Sequence, residues 1–245
     1  MKNQYVGDVN DYRKYRLIRA IHSASGFRIL VAWMLTRDDG RTDGQTTGYL
    51  DQPDRWEGFD PVLFNALRAA LRQNPRRHVG LIEQTDVLPN AEYFSAIVPD
   101  AACERDEWLK ALAQRAPSCD LVFLDPDNGL EVKSRPYGRK DSSKFLFWRE
   151  AIALWSSGPS LLIYQHFPRV NRIDYIRRRT DELRHALPGS LIATFSTSRV
   201  TFFLALQPKH HALRFRIAAT VEGRWTGQIQ HGRIERVSPA KGSVP

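Results

Sequence analysis

The chain of 245 residues is long enough for one large core or two small ones, and its 36 Lys and Arg against 27 Asp and Glu leave a net charge of +9. No stretch reaches the roughly 18 to 20 consecutive apolar residues of a spanning helix, and Met1-Lys2-Asn3-Gln4-Tyr5 lacks the apolar centre of a signal peptide, so the expectation is a cytoplasmic protein with no membrane partner. The positive field suits a phosphate-rich partner, nucleic acid (RNA or DNA) first, although charge spread over several segments also serves solubility.

Asn10 can cap a helix predicted over 11–22, basic except for an apolar side of Leu17, Ile18 and Ile21. Residues 28–35, RILVAWML, are a continuous apolar run, as in a strand covered on both faces. A polar loop over 37–58 follows. Asp60 and Pro61 then open a helix as N-cap and first-turn proline, with Leu63, Leu67, Ala70 and Leu71 as its apolar face. Residues 78–83, HVGLIE, read as a short strand that ends on Glu83. A helix over 106–115 leads into the apolar strand 120–125, DLVFLD. Cys103 and Cys119, with neither metal spacing nor the density of a disulfide scaffold, read as reduced structural residues.

A helix over 143–155 precedes a strand over 160–165, SLLIYQ, and a basic helix over 172–187 follows. The last strands, 190–195 and 200–206, are separated only by Ser196-Thr197-Ser198-Arg199. So short a join requires an antiparallel hairpin, because parallel neighbours need a crossover of about a dozen residues. No Gly/Ser-rich or Pro-rich linker breaks the pattern, which gives one domain over 1–237 and a disordered tail over 238–245. The expected fold is α/β, a doubly wound, mainly parallel sheet with a C-terminal antiparallel hairpin, whose ligands sit at the carboxyl ends of the strands.

At one such end stands Asp125-Pro126-Asp127-Asn128-Gly129, where two carboxylates and an amide leave a buried strand. Proline stiffens the turn and Gly129 permits positive φ, so the side chains can be held in fixed directions, though an ordinary Asx turn has the same composition. Glu83 holds the position at which dinucleotide folds bind ribose hydroxyls. Asp38, Asp39, Gly40, Asp43 and Gly44 lie in the loop after the first strand, which lacks G-x-G spacing; they can contact ribose, hold a cation or simply form two Asp-Gly turns. Tyr5, Asp8, Asp11, Tyr12 and Lys14 belong to an N-terminal segment that mixes rings and charges, in which Tyr can stack on bases and Arg13, Lys14, Arg16 and Arg19 can pair with phosphates. His166 and Arg169 follow the 160–165 strand, and Arg177, Arg178 and Arg179 fan over a helix, where they are candidate phosphate contacts or a solvated face. Glu131-Val132-Lys133 after Asp125 and Asp127 also imitates the acidic set of a metal-dependent nuclease or phosphodiesterase, which would use a divalent metal.

The order of elements resembles the class I methyltransferase Rossmann-like sheet, and more particularly the bacterial large-subunit ribosomal RNA adenine-N6 methyltransferases. Residues 7–15, GDVNDYRKY, resemble that family's entry into its substrate-side helix, and Asp125-Pro126-Asp127-Asn128 stands in the place of its Asp-Pro-Pro-Tyr motif, with Asp127-Asn128 where the family has Pro-Tyr. The resemblance implies that Asp125 accepts hydrogen bonds from the target amino group of a flipped base. It also implies S-adenosylmethionine as cofactor. The reading is a methyltransferase-like enzyme with Asp125, Asp127, Asn128 and His166 at the substrate and Glu83 and the 38–44 loop around the nucleoside cofactor; a noncatalytic nucleic-acid-binding module is the other alternative.

Overall fold

The apolar runs of the sequence become the strands of one sheet. A computed structural model describes residues 1–40, 42–224 and 230–232, so the tail expected over 238–245 lies outside the described residues. The strands are β1 (Ile29–Ala32), β2 (Ala91–Phe94), β3 (Leu121–Leu124), β4 (Gly129–Leu130), β5 (Phe145–Leu146), β6 (Ser160–His166), β7 (Leu191–Ser196), β8 (Val200–Leu206) and β9 (Gln230–His231). The helices are α1 (Val9–Ser25), α2 (Pro53–Trp56), α3 (Pro61–Gln73), α4 (Gly80–Glu83), α5 (Ala102–Arg115), α6 (Trp148–Ser156), α7 (Arg172–Ala186) and α8 (Arg214–Arg224).

The main sheet has the order β2-β1-β3-β6-β8-β7-β9, while β4 and β5 pair separately. β1 is parallel to β2 and β3, and β3 is parallel to β6. β8 is antiparallel to both β6 and β7, so β7 points the way β6 does. Alternation along the strands divides the core. Ile29, Val31, Leu121 and Phe123 join one cluster with Leu17 and Ile18 of α1, Leu63 and Leu67 of α3, and Ile217 of α8. Leu30, Ala32, Val122 and Leu124 join the other, with Leu109 and Leu112 of α5, Leu154 of α6 and Leu183 of α7. Helices therefore cover both faces, which is why the central strands carry no polar alternation.

Residues 78–83 do not form the expected strand. They make a helical turn in which the Glu83 N–H donates to Val79 O at 3.1 Å, and the place beside β1 goes to β2, whose half-polar Ala-Glu-Tyr-Phe sequence suits an edge strand that is only partly buried. α1 starts at Val9, earlier than expected, because Asp8 and not Asn10 is its cap; the Asp8 carboxylate accepts from the N–H groups of Asn10 and Asp11. The helix expected over 143–155 begins only at Trp148, preceded by β5.

Candidate active site

Ala32, Leu124 and Ile163 lie side by side in the sheet register, so the segments leaving β1, β3 and β6 emerge together. The Asp125 N–H donates to Ala32 O at 3.2 Å and carries the ladder one residue past β3. Beyond it the turn is held from below. Gly129 has φ +104°, and a Cβ there would lie 2.3 Å from the Gln165 side-chain nitrogen. That close approach lets Gln165 clamp the turn: its Nε2 donates to Asn128 O at 2.9 Å and its Oε1 accepts from the Leu130 N–H at 2.8 Å. Only glycine fits both the backbone conformation and the contact.

Each carboxylate of the turn has a cation. Lys14 Nζ lies 2.6 Å from Asp125 Oδ2 and 2.7 Å from Asp11 Oδ1, and Asp11 Oδ2 also accepts from the Tyr15 hydroxyl at 3.0 Å. The Met1 ammonium lies 2.7 Å from Asp127 Oδ1 and donates to the carbonyls of Met34 and Asp125 at 3.1 and 2.9 Å. Thr36 Oγ1 donates to Asp127 Oδ2 at 2.7 Å. Burial opposes the charge on Lys14, but the Asp11 and Asp125 carboxylates outweigh it and raise its pKa, so the lysine stays protonated. Burial raises Asp125 against the pull of Lys14 and the Met1 ammonium. Asp127, also opposed by burial, is lowered by that ammonium and by the hydrogen bonds it receives. Asp8 is pushed up to about 6 by burial and by the neighbouring Asp11 charge.

Met1, Asp8, Asp11, Lys14, Asp125 and Asp127 line a cleft of about 650 Å³, together with Tyr5, Asp43, Gly44, Asn128, Tyr164, His166 and Arg199. A second cleft of about 580 Å³ lies across Thr36 from it and is lined by Lys2, Asp38, Asp39, Asp100 and Ser143. The 38–44 loop is thus divided: Asp38 and Asp39 face the second cleft, and Asp43 and Gly44 the first. Asp39 is held by Lys2 at 2.7 Å, Asp38 accepts from the Gln4 N–H at 3.2 Å, and Gly40 has φ +70°.

Several expected site residues are scaffold instead. Glu83 accepts from Trp33 Nε1 at 2.8 Å and from the Ser95 hydroxyl, and lines neither cleft. Tyr12 is buried and donates its hydroxyl to Trp56 O at 3.0 Å, so it cannot stack on a base. Lys14 is spent on Asp11 and Asp125, Arg16 is buried, and Arg19 pairs with Asp60 at 2.7 Å, which removes three expected phosphate contacts. Asp8 and Asp11 reach the cleft wall but serve as helix cap and as partner of Lys14. Arg179 is buried, with Glu182 at 2.7 Å and Glu131 O at 3.0 Å as acceptors, whereas Arg177 and Arg178 are exposed as expected. Glu131 accepts from the Trp148 N–H at 2.9 Å at the start of α6, and it does not line the cleft of Asp125 and Asp127. No group of three His, Cys, Asp or Glu able to hold a metal occurs among the described residues, so the acidic set expected for a nuclease is not assembled. Asp125, Asp127, Asn128, His166 and Tyr5 do come together, and His166 and Arg169 line an adjoining cleft.

Thr36 and Arg199 join the site without a signal in the sequence. Thr36 carries no mark beyond following an apolar run, and Arg199 sits in a hairpin tip whose direction only the β6-β8 pairing decides. Ser160, His210 and Asp120 also meet, but Ser160 is fully buried and accepts from the Gln207 N–H at 3.0 Å, and Asp120 lies 3.9 Å from the ring. That grouping ties β6 to the residues after β8.

No protein-family model matches the chain, and no curated protein matches it. Among solved structures it is similar to a crystal structure of a Legionella pneumophila (strain Philadelphia 1) protein of the family model DUF519, at 11% identity over 93% of this chain and 97% of that one, with a TM-score of 0.43. No helix among the described residues is long and apolar enough to cross a membrane.

Proposed function

We propose that this chain is a methyltransferase-like enzyme of the class I type that acts on a nucleic-acid base or nucleotide with S-adenosylmethionine as methyl donor. The observation that carries the reading is the 125–128 turn, clamped at the end of a buried parallel strand and open to a cleft of about 650 Å³, inside the range of small-molecule sites. The parallel strands continued by the reversed β8 are the arrangement that the family resemblance implies.

Lys14 occupies Oδ2 of Asp125, which leaves Oδ1 to accept a hydrogen bond from an exocyclic amine and to aim its lone pair out of the turn. Asn128, exposed beside it, offers a further amide. Tyr5 and Tyr164 bring two rings to a turn that has no aromatic of its own, and a flipped base needs such a face. The donor, when bound, supplies an electrophilic methyl group. Its fit is indicated by the Met1 ammonium: the carbonyls of Met34 and Asp125 and the carboxylate of Asp127 already hold one primary ammonium, and the donor's amino-acid end carries the same group. In the structure these acceptors are held by the Met1 ammonium. Asp38 and Asp39 line the adjoining cleft as acceptors for ribose hydroxyls.

The test is calorimetric titration of one sample with S-adenosylmethionine, S-adenosylhomocysteine, Mg²⁺ and Mn²⁺, followed by transfer of labelled methyl to RNA, DNA and nucleotides. Both nucleosides should bind without metal, and Asp125→Asn should abolish transfer. If neither nucleoside binds, the enzyme reading is lost: to a phosphodiesterase if the metals bind, to a binding module if only nucleic acid does.

A further inference from the structure

The central cleft is not isolated. Gln45 lines both it and a cleft of about 350 Å³ that carries Arg68, Arg72 and Arg77. At a different set of lining residues, His166 and Arg199, the central cleft is shared with a cleft of about 690 Å³ that carries Arg169 and Arg172. Arginine-lined clefts thus flank a centre whose floor holds Asp8, Asp11, Asp125 and Asp127. The Arg68 Nε is buried without a hydrogen-bond partner among the described residues, and no carboxylate pairs with Arg169 or Arg199 among them. Among the described residues Arg72 has one carboxylate, Asp51, at 3.6 Å, with both groups largely in solvent.

This charge order selects a ligand. The floor's cations, Lys14 and the Met1 ammonium, are held by Asp11, Asp125 and Asp127 and offer no free charge to a phosphate, so the centre suits a neutral base, while guanidinium groups in the two adjoining clefts attract phosphate. A mononucleotide would use one flank only. Two flanks suit a chain of phosphates, and an unpaired chain can lower a base to the floor without the energy of breaking stack and pair.

We propose that the substrate is a single-stranded stretch of nucleic acid crossing all three clefts, its phosphates held by Arg68 and Arg72 on one flank and by Arg169, Arg172 and Arg199 on the other. One nucleotide drops between them toward the 125–128 turn. From the reading above the proposal takes only that this turn is where the nucleotide is acted on. Arg77 positions the loop between the clefts instead, because it donates to Gly44 O at 2.6 Å.

The experiment measures anisotropy of a labelled single strand of about 12 nucleotides across a salt series, with Arg68→Ala/Arg72→Ala, Arg169→Ala/Arg199→Ala and, as a control, Arg139→Ala/Lys140→Ala on an exposed surface outside the three clefts. Each flank variant should weaken binding about tenfold at low salt and lower the slope of log affinity against log salt by roughly 1.4, the value for two phosphate contacts on a single strand. The control should leave both unchanged, and a matched duplex should bind more weakly than the strand. An unchanged slope in either flank variant, an equal effect of the control, or tighter binding of the duplex would overturn the proposal. S-adenosylhomocysteine titration of the same samples separates the two readings: donor binding that fails while the strand still binds removes the enzyme and keeps the track, and the reverse removes the track and keeps the enzyme.

Discussion

Lys14→Met should lower stability by about 3 to 5 kcal/mol, the cost of removing one partner from a buried ion pair. Lys14 is 4% exposed and its carboxylates 2%, so methionine of similar length leaves Asp11 and Asp125 facing each other without a cation. In a chain of this size each kcal/mol moves Tm by about 2 to 4 °C, which predicts a fall of roughly 6 to 20 °C. Asp125→Asn alone is milder, about 1.5 to 3 kcal/mol, because Lys14 keeps Asp11 and an amide oxygen. In the double variant the neutral amide at position 125 relieves the stranded charge, so the two losses should fall short of additivity by about 2 kcal/mol. Lys14 is raised above its ordinary value, so its contribution is fully present below about 10.5 and is lost only as pH climbs through the raised value. Urea unfolding followed by circular dichroism at neutral pH therefore reads the charged pair. Additivity within about 0.5 kcal/mol would show that Lys14 and Asp125 do not form a coupled unit and that the turn is held by other means.

Asp8, raised from 3.8 to about 6 in the folded chain, binds its proton more tightly when folded, so its contribution favours folding below about 4 and fades as pH rises through 6; the stability difference between wild type and Asp8→Asn should shift by about 3 kcal/mol between pH 3.5 and 7 in urea melts, and a pH-independent difference would place the carboxylate in water. Glu150→Gln should cost about 3 to 5 kcal/mol because it strands the fully buried Arg105, while Arg105→Met/Glu150→Leu should recover much of that loss in thermal melts; a double variant no better than the single one would count against this. Gly129→Ala should cost more than about 1 kcal/mol and disturb donor binding, since its Cβ would strike the Gln165 amide; unchanged melting and calorimetry would show that the turn is not clamped there.

Much of the architecture was legible because burial on both faces leaves a continuous apolar run, as in 28–35, 120–125 and 200–206, and because Asp60-Pro61 and the short 196–199 join are local signals. β2 was missed for the complementary reason: at the sheet edge it needs no apolar run, so Ala-Glu-Tyr-Phe reads as loop while the apolar HVGLIE reads as strand. Composition could also place Asp125, Asp127 and Asn128 at a strand end, since a polar turn bounded by Pro126 and Gly129 after LVFL is a local pattern. It could not say which charges are available. That depends on partners distant in the chain: Asp125 on Lys14, 111 residues away, Arg179 on Glu131 O, 48 residues away, and Glu83 on Trp33, 50 residues away. Desolvation makes each such charge or polar group seek a partner wherever the sheet delivers one, so residue type alone determined that the cleft would be polar, and tertiary packing decided which of its charges hold the fold and which, like Arg169 and Arg199, have no carboxylate partner among the described residues.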